Sequence, residues 1–385
     1  MKYNFDLATN RKNTGSLKWD VEENVLPMWV ADMDFETAPA VKAAIMKTAE
    51  RGIFGYSTVP DEYFESISDF FERRYSYRPS PEWMVYTNGI VAAISSMVRK
   101  LTTPAENVLL QPPVYNIFYN CVKNNGRCVL ENKLIYENGE YSMDFADLEE
   151  KLSNPQTTLM ILCNPHNPVG KIWDRETLIK VGELCKKHGV TVISDEIHFP
   201  FTRPGKKYIP FASVSEVCSE VSATCISGSK AFNIAGLQSA AVIAKNPYLR
   251  HKIWRGVNTD EVGEPNVFAM AANIAAYRDS DQWLDALVEY LFENRAYAEK
   301  YIEENMPKLK VVSAEATYLL WVDISAYSND SVSFSEDLCK KTGLFVNDGA
   351  EYGNGGESFI RINLATQRAN VAEGMKRLRE YVEKL

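Results

Sequence analysis

The sequence lacks several features that would restrict its class. No uninterrupted apolar run approaches the roughly 18 residues that a membrane helix needs, and residues 1–15 have no apolar stretch behind their basic residue. The seven cysteines include no CxxC pair and have no nearby pair of histidines. We therefore expect neither export nor a membrane span, no disulfide scaffold and no cysteine-based metal site, but reduced thiols in the cytoplasm.

Positive charge is also scarce. Lys and Arg number 42 against 51 Asp and Glu, a net charge of −9, and the two signs are mixed rather than blocked. This balance disfavours nucleic acid as a partner. Neither an internal repeat nor a low-complexity linker interrupts the 385 residues, of which 45% are hydrophobic. A chain of this length forms about two to three domain units and buries a large core without a metal or disulfide.

Short apolar runs that alternate with amphipathic stretches are present between about residue 85 and residue 245. They are apolar along most of their length, which predicts a parallel sheet covered by helices on both faces. Between two of them, Asp174 is placed to cap a helix that runs to His188 and stops at Gly189. The runs are NVLLQPP, TLMILCNP, GVTVISDE, SATCISGS and SAAVIAKN, which end at Pro113, Pro165, Glu196, Ser229 and Asn246.

The remainder of the chain has a different pattern. Apolar residues at helical spacing over residues 281–305 predict one long helix that ends before Pro307. Two strand-like segments follow, TYLLWVDI and SFIRINLA, and then a final helix with an apolar face. These features predict a smaller α+β lobe from about residue 281, packed against the first lobe and sharing a cleft with it.

Polar side chains follow several of the predicted strands. Ligands of open α/β sheets bind at the carboxyl ends of the strands, so these positions are candidates for a site. Taken singly, each has a structural explanation: Asp195 as the cap of a turn, Asn167 in an Asx turn, and Lys230 as a snorkelling side chain. Their joint occurrence in one order favours a site, because a lysine at the end of a buried strand is costly unless it is paired or chemically modified.

The motifs NPHNPVG, ISDEIH and SGSKAFNIAGLQ resemble the fold type I pyridoxal-phosphate enzymes of the aspartate aminotransferase superfamily. The strings TGSLKWD, PMWVADMDF, FGYS and FIRINLA resemble, within it, the MalY/PatB-type cystathionine β-lyases, or C-S lyases. The resemblance spans essentially the whole chain. It implies a mainly parallel, seven-stranded type of sheet flanked by helices in a large cofactor domain over 47–280. A small α+β domain over 281–385, joined by segment 1–46, and a homodimer with shared active sites are also implied.

The resemblance also implies roles for individual residues around the cofactor ring. Lys230 holds the pyridoxal phosphate aldehyde as a Schiff base and then acts as the base near the substrate Cα. Because a free lysine titrates near 10.4, its surroundings must favour the neutral amine. Asp195 pairs with the pyridine nitrogen, Asn167 donates to the phenolate oxygen, and Tyr115 stacks on the ring. His198 stands in the same neighbourhood, where transaminases usually carry a tyrosine.

Phosphate donors are implied at the turn that opens a helix and at hydroxyls around the lysine. The arginine that many transaminases carry eight residues after the lysine is replaced by Gln238, so the phosphate charge must be balanced in another way. The implied donors are Gly89, Ile90, Val91, Ser227 and Ser229.

On the substrate side, the resemblance implies that Arg361 clamps the α-carboxylate and that Tyr56 reaches the site of the neighbouring subunit. The primary hypothesis is β-elimination from an L-cysteine S-conjugate such as cystathionine, with Tyr56 or Tyr115 as the proton source for the departing sulfur. An aminotransferase on the same scaffold is the alternative. A protein of another class, a regulator-binding protein on a degenerate cofactor fold, is disfavoured by the intact Lys230, Asp195 and Asn167. The thiol side of the substrate stays open, since all cysteine S-conjugates share the groups that Arg361 and Lys230 recognise.

Overall fold

The strands of the chain fall into a large sheet, a smaller sheet and two short pairs. The computed structural model describes residues 3–385, and within this range it contains one seven-stranded sheet, one four-stranded sheet and two two-stranded pairs. The strands are Leu26–Pro27 (β1), Met84–Thr87 (β2), Asn107–Leu110 (β3), Cys128–Glu131 (β4), Ile135–Glu137 (β5), Glu140–Ser142 (β6), Thr157–Cys163 (β7), Thr191–Asp195 (β8), Ser222–Ile226 (β9), Ala240–Ile243 (β10), Lys310–Val311 (β11), Leu319–Asp323 (β12), Leu344–Phe345 (β13), Asn347–Asp348 (β14) and Phe359–Asn363 (β15).

The helices end where the sequence supplies stop signals. In the helix predicted from residue 174 onward, the Asp174 side chain accepts from the Thr177 amide at 2.7 Å, and Gly189 ends the helix with a φ of 71°. The helices are Pro39–Ala49 (α1), Asp61–Tyr75 (α2), Ile90–Leu101 (α3), Ile117–Lys123 (α4), Phe145–Ser153 (α5), Arg175–His188 (α6), Glu216–Val221 (α7), Gly228–Ala231 (α8), Pro247–Thr259 (α9), Ala269–Asp279 (α10), Asp281–Asn305 (α11), Ser331–Thr342 (α12) and Arg368–Val382 (α13). The predicted long helix over 281–305 is therefore confirmed as α11. None of the helices within residues 3–385 combines the length and apolarity needed to cross a bilayer.

The large sheet has the order β2-β10-β9-β8-β7-β3-β4 and is parallel from β9 to β4. This agrees with the predicted mainly parallel sheet. The run SAAVIAKN is the exception among the five predicted strands, because β10 runs antiparallel to both of its neighbours. The segment between β9 and β10 folds into the short α8 and a 3-10 turn at the carboxyl edge, so the chain re-enters the sheet from the edge that it left. Strand β2 points the same way as β9, and its carboxyl end joins that edge.

Both faces of this sheet are covered. Along β7, Leu159 and Ile161 belong to one apolar cluster, whereas Met160 and Leu162 belong to another on the opposite face. Alternate residues of a strand point to opposite faces, so a strand buried on both sides is apolar throughout. Each fully buried Leu or Ile contributes about 1.5–3 kcal/mol. The α/β fold class predicted from the sequence is confirmed.

The smaller sheet is antiparallel, with the order β11-β12-β15-β14. Its strands β12 and β15 are the two strand-like segments predicted from the sequence, and α13 is the predicted final helix. The amino-terminal segment contributes to the same region, because β1 pairs in parallel with β13 and Met28 is buried among apolar residues of α13. This arrangement brings the residues before and after β1 close to Arg361 on β15.

Candidate active site

A cavity of about 600 Å³ lies at the carboxyl edge of the large sheet, and β14, β15 and the segment after β1 close it from the other side. Eleven of the twelve site residues predicted from the sequence line this cavity. They are Gly89, Ile90, Val91, Tyr115, Asn167, Asp195, His198, Ser227, Ser229, Lys230 and Arg361.

Lys230 lies on α8, directly after β9, and faces the cavity. Its Nζ donates to the carbonyl oxygen of Ala31, which also accepts from the Tyr318 hydroxyl at 2.9 Å. Desolvation, followed by repulsion from Arg361, lowers the pKa of Lys230 to about 8. A substantial fraction of the amine is therefore neutral near physiological pH and available to accept a proton, as the sequence analysis requires.

Asp195 is the last residue of β8 and lies on the floor of the cavity, with only 4% of its surface exposed. Its Oδ1 accepts from the Ile197 amide at 3.1 Å. Within residues 3–385, no basic side chain lies within ion-pair distance of this carboxylate. Desolvation raises the pKa of Asp195 to about 7, against the opposing effects of the Ile197 amide and Lys230. A cationic group in the cavity would hold this carboxylate in its charged form.

The ring of His198 is buried beside Asp195 and packs edge-on against Tyr318, with centroids 6.0 Å apart. Desolvation, with repulsion from Lys230 and Arg361, lowers the pKa of His198 to about 3, so the imidazole is neutral. Its Nδ1 is buried without a hydrogen-bond partner. His198 therefore contributes a neutral ring to the site and not a charge.

Arg361 extends from the middle of β15 into the cavity and is 4% exposed. Its Nη2 donates to the Trp29 carbonyl and to Asn347 Oδ1, both at 2.8 Å, and its Nη1 lies 3.3 Å from Asn167 Oδ1. The guanidinium stands 5.0 Å from the centre of the Tyr352 ring. Its Nε is buried without a partner, and no carboxylate within residues 3–385 pairs with it at ion-pair distance. The group is positioned to receive an anion.

Tyr115 follows β3 and packs edge-on against Phe118, with centroids 5.6 Å apart. Burial raises the pKa of Tyr115 to about 12, so the hydroxyl keeps its proton at neutral pH. A phenol in this state can donate a proton to a stronger base that forms beside it.

The opposite end of the cavity supplies amide and hydroxyl groups. Gly89 has a φ of 128°, a conformation that favours glycine, and it precedes the first amides of α3. The Ser227 hydroxyl donates to the Ser239 carbonyl at 2.6 Å and accepts from the Ser229 amide at 3.0 Å, so its proton is already used. Gln238 also lines this end, and in the lining described here Lys230 and Arg361 are the basic side chains.

These residues fit a pyridoxal phosphate. Four polar atoms that line the cavity are buried without partners, which marks the cavity as a site for a polar ligand. A buried carboxylate for a ring nitrogen, an amine for an aldehyde, and helix-start amides for a phosphate match the groups of that cofactor. The unpartnered atoms are Trp29 Nε1, Asn88 Oδ1, His198 Nδ1 and Arg361 Nε.

Several residues of the site were not found by the sequence analysis. Trp29 and Ala31 lie in the string PMWVADMDF, which indicated the family but no individual role. Asn347 is the partner of Arg361 in the pairing of β14 with β15, and Glu351 follows in the next turn. Only the register of the small sheet identifies these two, since nothing in their local sequence is distinctive.

Tyr56 is not among the residues of this cavity. It lies in the segment between α1 and α2, and its side chain is fully exposed. Its predicted position in the site of a neighbouring subunit stays a prediction.

Comparisons with known proteins agree with this geometry. The aminotransferase class I and II family model matches residues 23–378. The cystathionine β-lyase PatB of Bacillus subtilis is 41% identical over 382 residues, which cover 98% of this chain and 99% of PatB.

Two solved structures superpose on nearly the entire chain. Cystalysin of Treponema denticola, which contains pyridoxal 5'-phosphate, has a TM-score of 0.96 at 31% identity and covers 100% of both chains. The pyridoxal-phosphate-bound C-S lyase of Staphylococcus hominis has a TM-score of 0.92 at 33% identity and covers 99% of this chain and 98% of its own. With a family match over most of its length and a relative this similar from end to end, the chain belongs to the aminotransferase class I and II family, in the branch that contains PatB.

Proposed function

We propose that this protein is a pyridoxal-phosphate-dependent carbon-sulfur β-lyase. It converts L-cystathionine or a related L-cysteine S-conjugate, with one water, into a thiol, pyruvate and ammonia. The observation that carries the proposal is the convergence of Lys230, Asp195, Asn167 and Arg361 in one cavity. Support for elimination comes from PatB and the S. hominis C-S lyase, whose names state this reaction class.

When bound, pyridoxal phosphate supplies an electron sink for the pair of electrons released at the substrate Cα. The buried carboxylate of Asp195 would hold the pyridine nitrogen of that cofactor and balance its positive charge. Arg361 binds the α-carboxylate through its planar fork and thereby orients the Cα–H bond. Lys230 Nζ, whose lowered pKa leaves a fraction of the amine neutral near physiological pH, accepts the Cα proton. Tyr115, which keeps its hydroxyl proton, donates to the departing sulfur.

The reaction is tested by incubating the purified protein with L-cystathionine and measuring thiol and pyruvate together. We expect equal amounts of both products and no requirement for 2-oxoglutarate. Substitution Lys230→Ala should abolish the release, whereas Lys207→Ala, at an exposed lysine outside the cavity, should not. Keto acid that forms only when an amino acceptor is added, without thiol, would instead support the aminotransferase alternative.

We also propose that the enzyme is a homodimer in which Tyr56 completes the cavity of the partner subunit. Support comes from its full exposure and from its neighbours Ile53 and Phe54, which are 78% and 58% exposed. Large apolar side chains clustered on a surface mark interaction sites.

Coexpression of Lys230→Ala with Tyr56→Ala chains tests the shared site. Each variant alone should be inactive, whereas random heterodimers should recover about a quarter of the wild-type activity, because half of the dimers carry one intact site. A protein that sediments as a monomer, or variants that do not complement each other, would contradict the shared site.

We place the enzyme in the cytoplasm. All seven cysteines are free thiols in the structure, and one of them, Cys128, is exposed. Exposed thiols persist in a reducing compartment. Localisation of a tagged chain by cell fractionation tests this assignment.

A further inference from the structure

One acidic side chain in the active-site cavity has no role in the scheme above. Glu351 lies in the 3-10 turn Ala350–Tyr352 between β14 and β15. It lines the active-site cavity and also a second cavity of about 720 Å³ that lies beside it. Trp29 and Asn347 line both cavities as well. The two cavities are therefore adjoining parts of one cleft, with Glu351 where they meet.

The backbone around Glu351 is held firmly in place. The amides of Gly349 and Ala350 donate to the Ser331 hydroxyl at 3.2 and 3.0 Å, and the Tyr352 carbonyl accepts from the Val114 amide at 2.9 Å. The Glu351 amide itself donates to Asp348 Oδ1 at 3.1 Å. The turn is thus fastened to α12 and to the segment after β3, and it presents the carboxylate from a fixed backbone.

The turn also closes against neighbouring side chains. Gly353 has a φ of 90°, and a Cβ at this position would lie 2.0 Å from the Tyr119 hydroxyl oxygen. A larger residue there would force the turn away from its neighbour. Close packing of this kind preorganises a binding group, because little freedom remains to be lost when the ligand binds.

The carboxylate of Glu351 has neutral hydrogen-bonding neighbours, Asn116, Tyr352 and Asn347, and, among the described residues, no cation within ion-pair distance. Asn116 Nδ2 donates to Oε2 at 3.2 Å. Within residues 3–385, no Lys, Arg or His lies within 4.0 Å of it.

Partial burial raises the pKa of Glu351, and the negative charge of Asp348 acts in the same direction. Hydrogen bonds with Tyr352 and Asn347 and the charge of Arg361 across the cavity oppose this increase without cancelling it. A partly desolvated carboxylate in this state gains most from a ligand that brings its own positive charge.

We propose that Glu351 is a specificity-determining residue that binds an ammonium group on the thiol side of the substrate. The proposal rests on the proposed function. Arg361 and Lys230 account for the α-carboxylate and the α-amino group that all cysteine S-conjugates share. Among the charged residues that line the active-site cavity, Glu351 is the one left to contact the departing thiol part of the substrate. L-Cystathionine and L-cystine carry an ammonium on that part, together with a carboxylate, whereas simple S-alkyl cysteines carry neither.

Two nearly isosteric substrates test the proposal. S-(2-Aminoethyl)-L-cysteine and S-propyl-L-cysteine differ in that one ends in an ammonium and the other in a methyl group. We expect the wild-type holoenzyme to have a kcat/KM at least about tenfold higher for the aminoethyl compound, in line with the strength of a charged hydrogen bond. Glu351→Gln should remove that preference and leave the kcat/KM for the propyl compound within a few-fold. Glu351→Asp should retain part of it.

Charge reversal and a control complete the experiment. Glu351→Lys should favour S-(2-carboxyethyl)-L-cysteine over the aminoethyl compound. The matched control Glu357→Gln, six residues along the chain and outside both cavities, should keep the wild-type preference. Equal losses on both substrates in Glu351→Gln, or an unchanged ratio, would overturn the assignment of Glu351. Absence of thiol from every conjugate in the wild-type enzyme would overturn the proposed function itself.

Discussion

Two carboxylates that are adjacent in the sequence lie in contrasting surroundings. Asp195 faces the cavity and accepts one hydrogen bond, from the Ile197 amide. Glu196 points away from it and is completely buried. Desolvation raises the pKa of both, to about 7 for Asp195 and about 8 for Glu196. Burial alone therefore does not separate a functional carboxylate from a structural one.

The two carboxylates differ in the number of hydrogen bonds that they accept from the protein. Glu196 accepts from the Ser194 hydroxyl at 2.7 Å, from the Phe211 amide at 2.9 Å and from the Tyr208 hydroxyl. These donors occupy both carboxylate oxygens from within the protein, and the buried group does not face the cavity. Asp195 retains an open oxygen at the floor of a cavity. A buried carboxylate with an oxygen free to accept further hydrogen bonds indicates a binding function. A buried carboxylate whose oxygens are both bonded within the protein indicates a structural role.

The largest expected effect comes from Asp195→Asn. An amide cannot balance positive charge at a ring nitrogen, so we expect kcat for thiol release to fall roughly 10²–10³-fold, the loss typical of a preorganised electrostatic group. The unfolding midpoint should stay within a few degrees of wild type. Steady-state kinetics and thermal unfolding of the holoenzyme measure the two quantities. An activity close to that of wild type would show that Asp195 is structural, like Glu196.

Two buried arginines provide the next test. Arg361 faces the cavity, whereas Arg295 is fixed in the core by the Leu319 carbonyl at 2.5 Å and by Glu299 at 3.2 Å. We expect Arg361→Lys to lower kcat/KM roughly 10–100-fold through loss of the bidentate clamp. Arg295→Lys should change kcat/KM only a few-fold and lower the unfolding temperature. The assignment fails if the two variants exchange these phenotypes.

Glu196→Gln should affect stability more than activity. The amide turns an NH₂ group toward one of the three donors that Glu196 satisfies, so we expect the free energy of unfolding to fall by about 1–3 kcal/mol. Because Glu196 does not reach the cavity, kcat should stay within a few-fold of wild type. Denaturant unfolding and steady-state assays measure the two effects. A large loss of kcat in a stably folded variant would contradict the structural role.

The pH dependence of stability provides a further test of Glu196. The folded chain holds the Glu196 proton up to about pH 8, whereas the unfolded chain releases it near the ordinary value of 4.5. The folded state therefore binds more protons in this interval, and stability falls as pH rises through it. Unfolding measured from about pH 5 to about pH 8 should show this decrease, and Glu196→Gln should flatten it. Some pH dependence should remain in this variant, because the pKa of Asp195 is also raised in the folded chain and lowers stability in the same direction as pH rises. An unchanged slope would show that the Glu196 carboxylate is already ionised in the folded state.

The sequence analysis predicted the family and fold class, which are confirmed, and a cofactor and reaction class that agree with the relatives. It also predicted α6 with its cap at Asp174 and its stop at Gly189, because capping and periodicity are local properties of the chain. It missed the reversed direction of β10, which depends on the path of the chain after β9. It also missed Glu351, an ordinary residue in a glycine-rich turn.

The sequence alone predicted the main apolar strands, the helix after Asp174 and the long helix over 281–305, the family, and the reactive side chains that motifs carry. Apolar periodicity, caps and motif chemistry are encoded by residues close together in the chain. Tertiary structure alone decided which buried polar groups are satisfied and which remain open. Trp29 and Asn167, which contact Arg361, come from segments far apart in the sequence, and Tyr208 and Phe211 reach Glu196 only because the chain after β8 folds back on it. The difference between a structural and a functional charge therefore exists only once these segments have packed together.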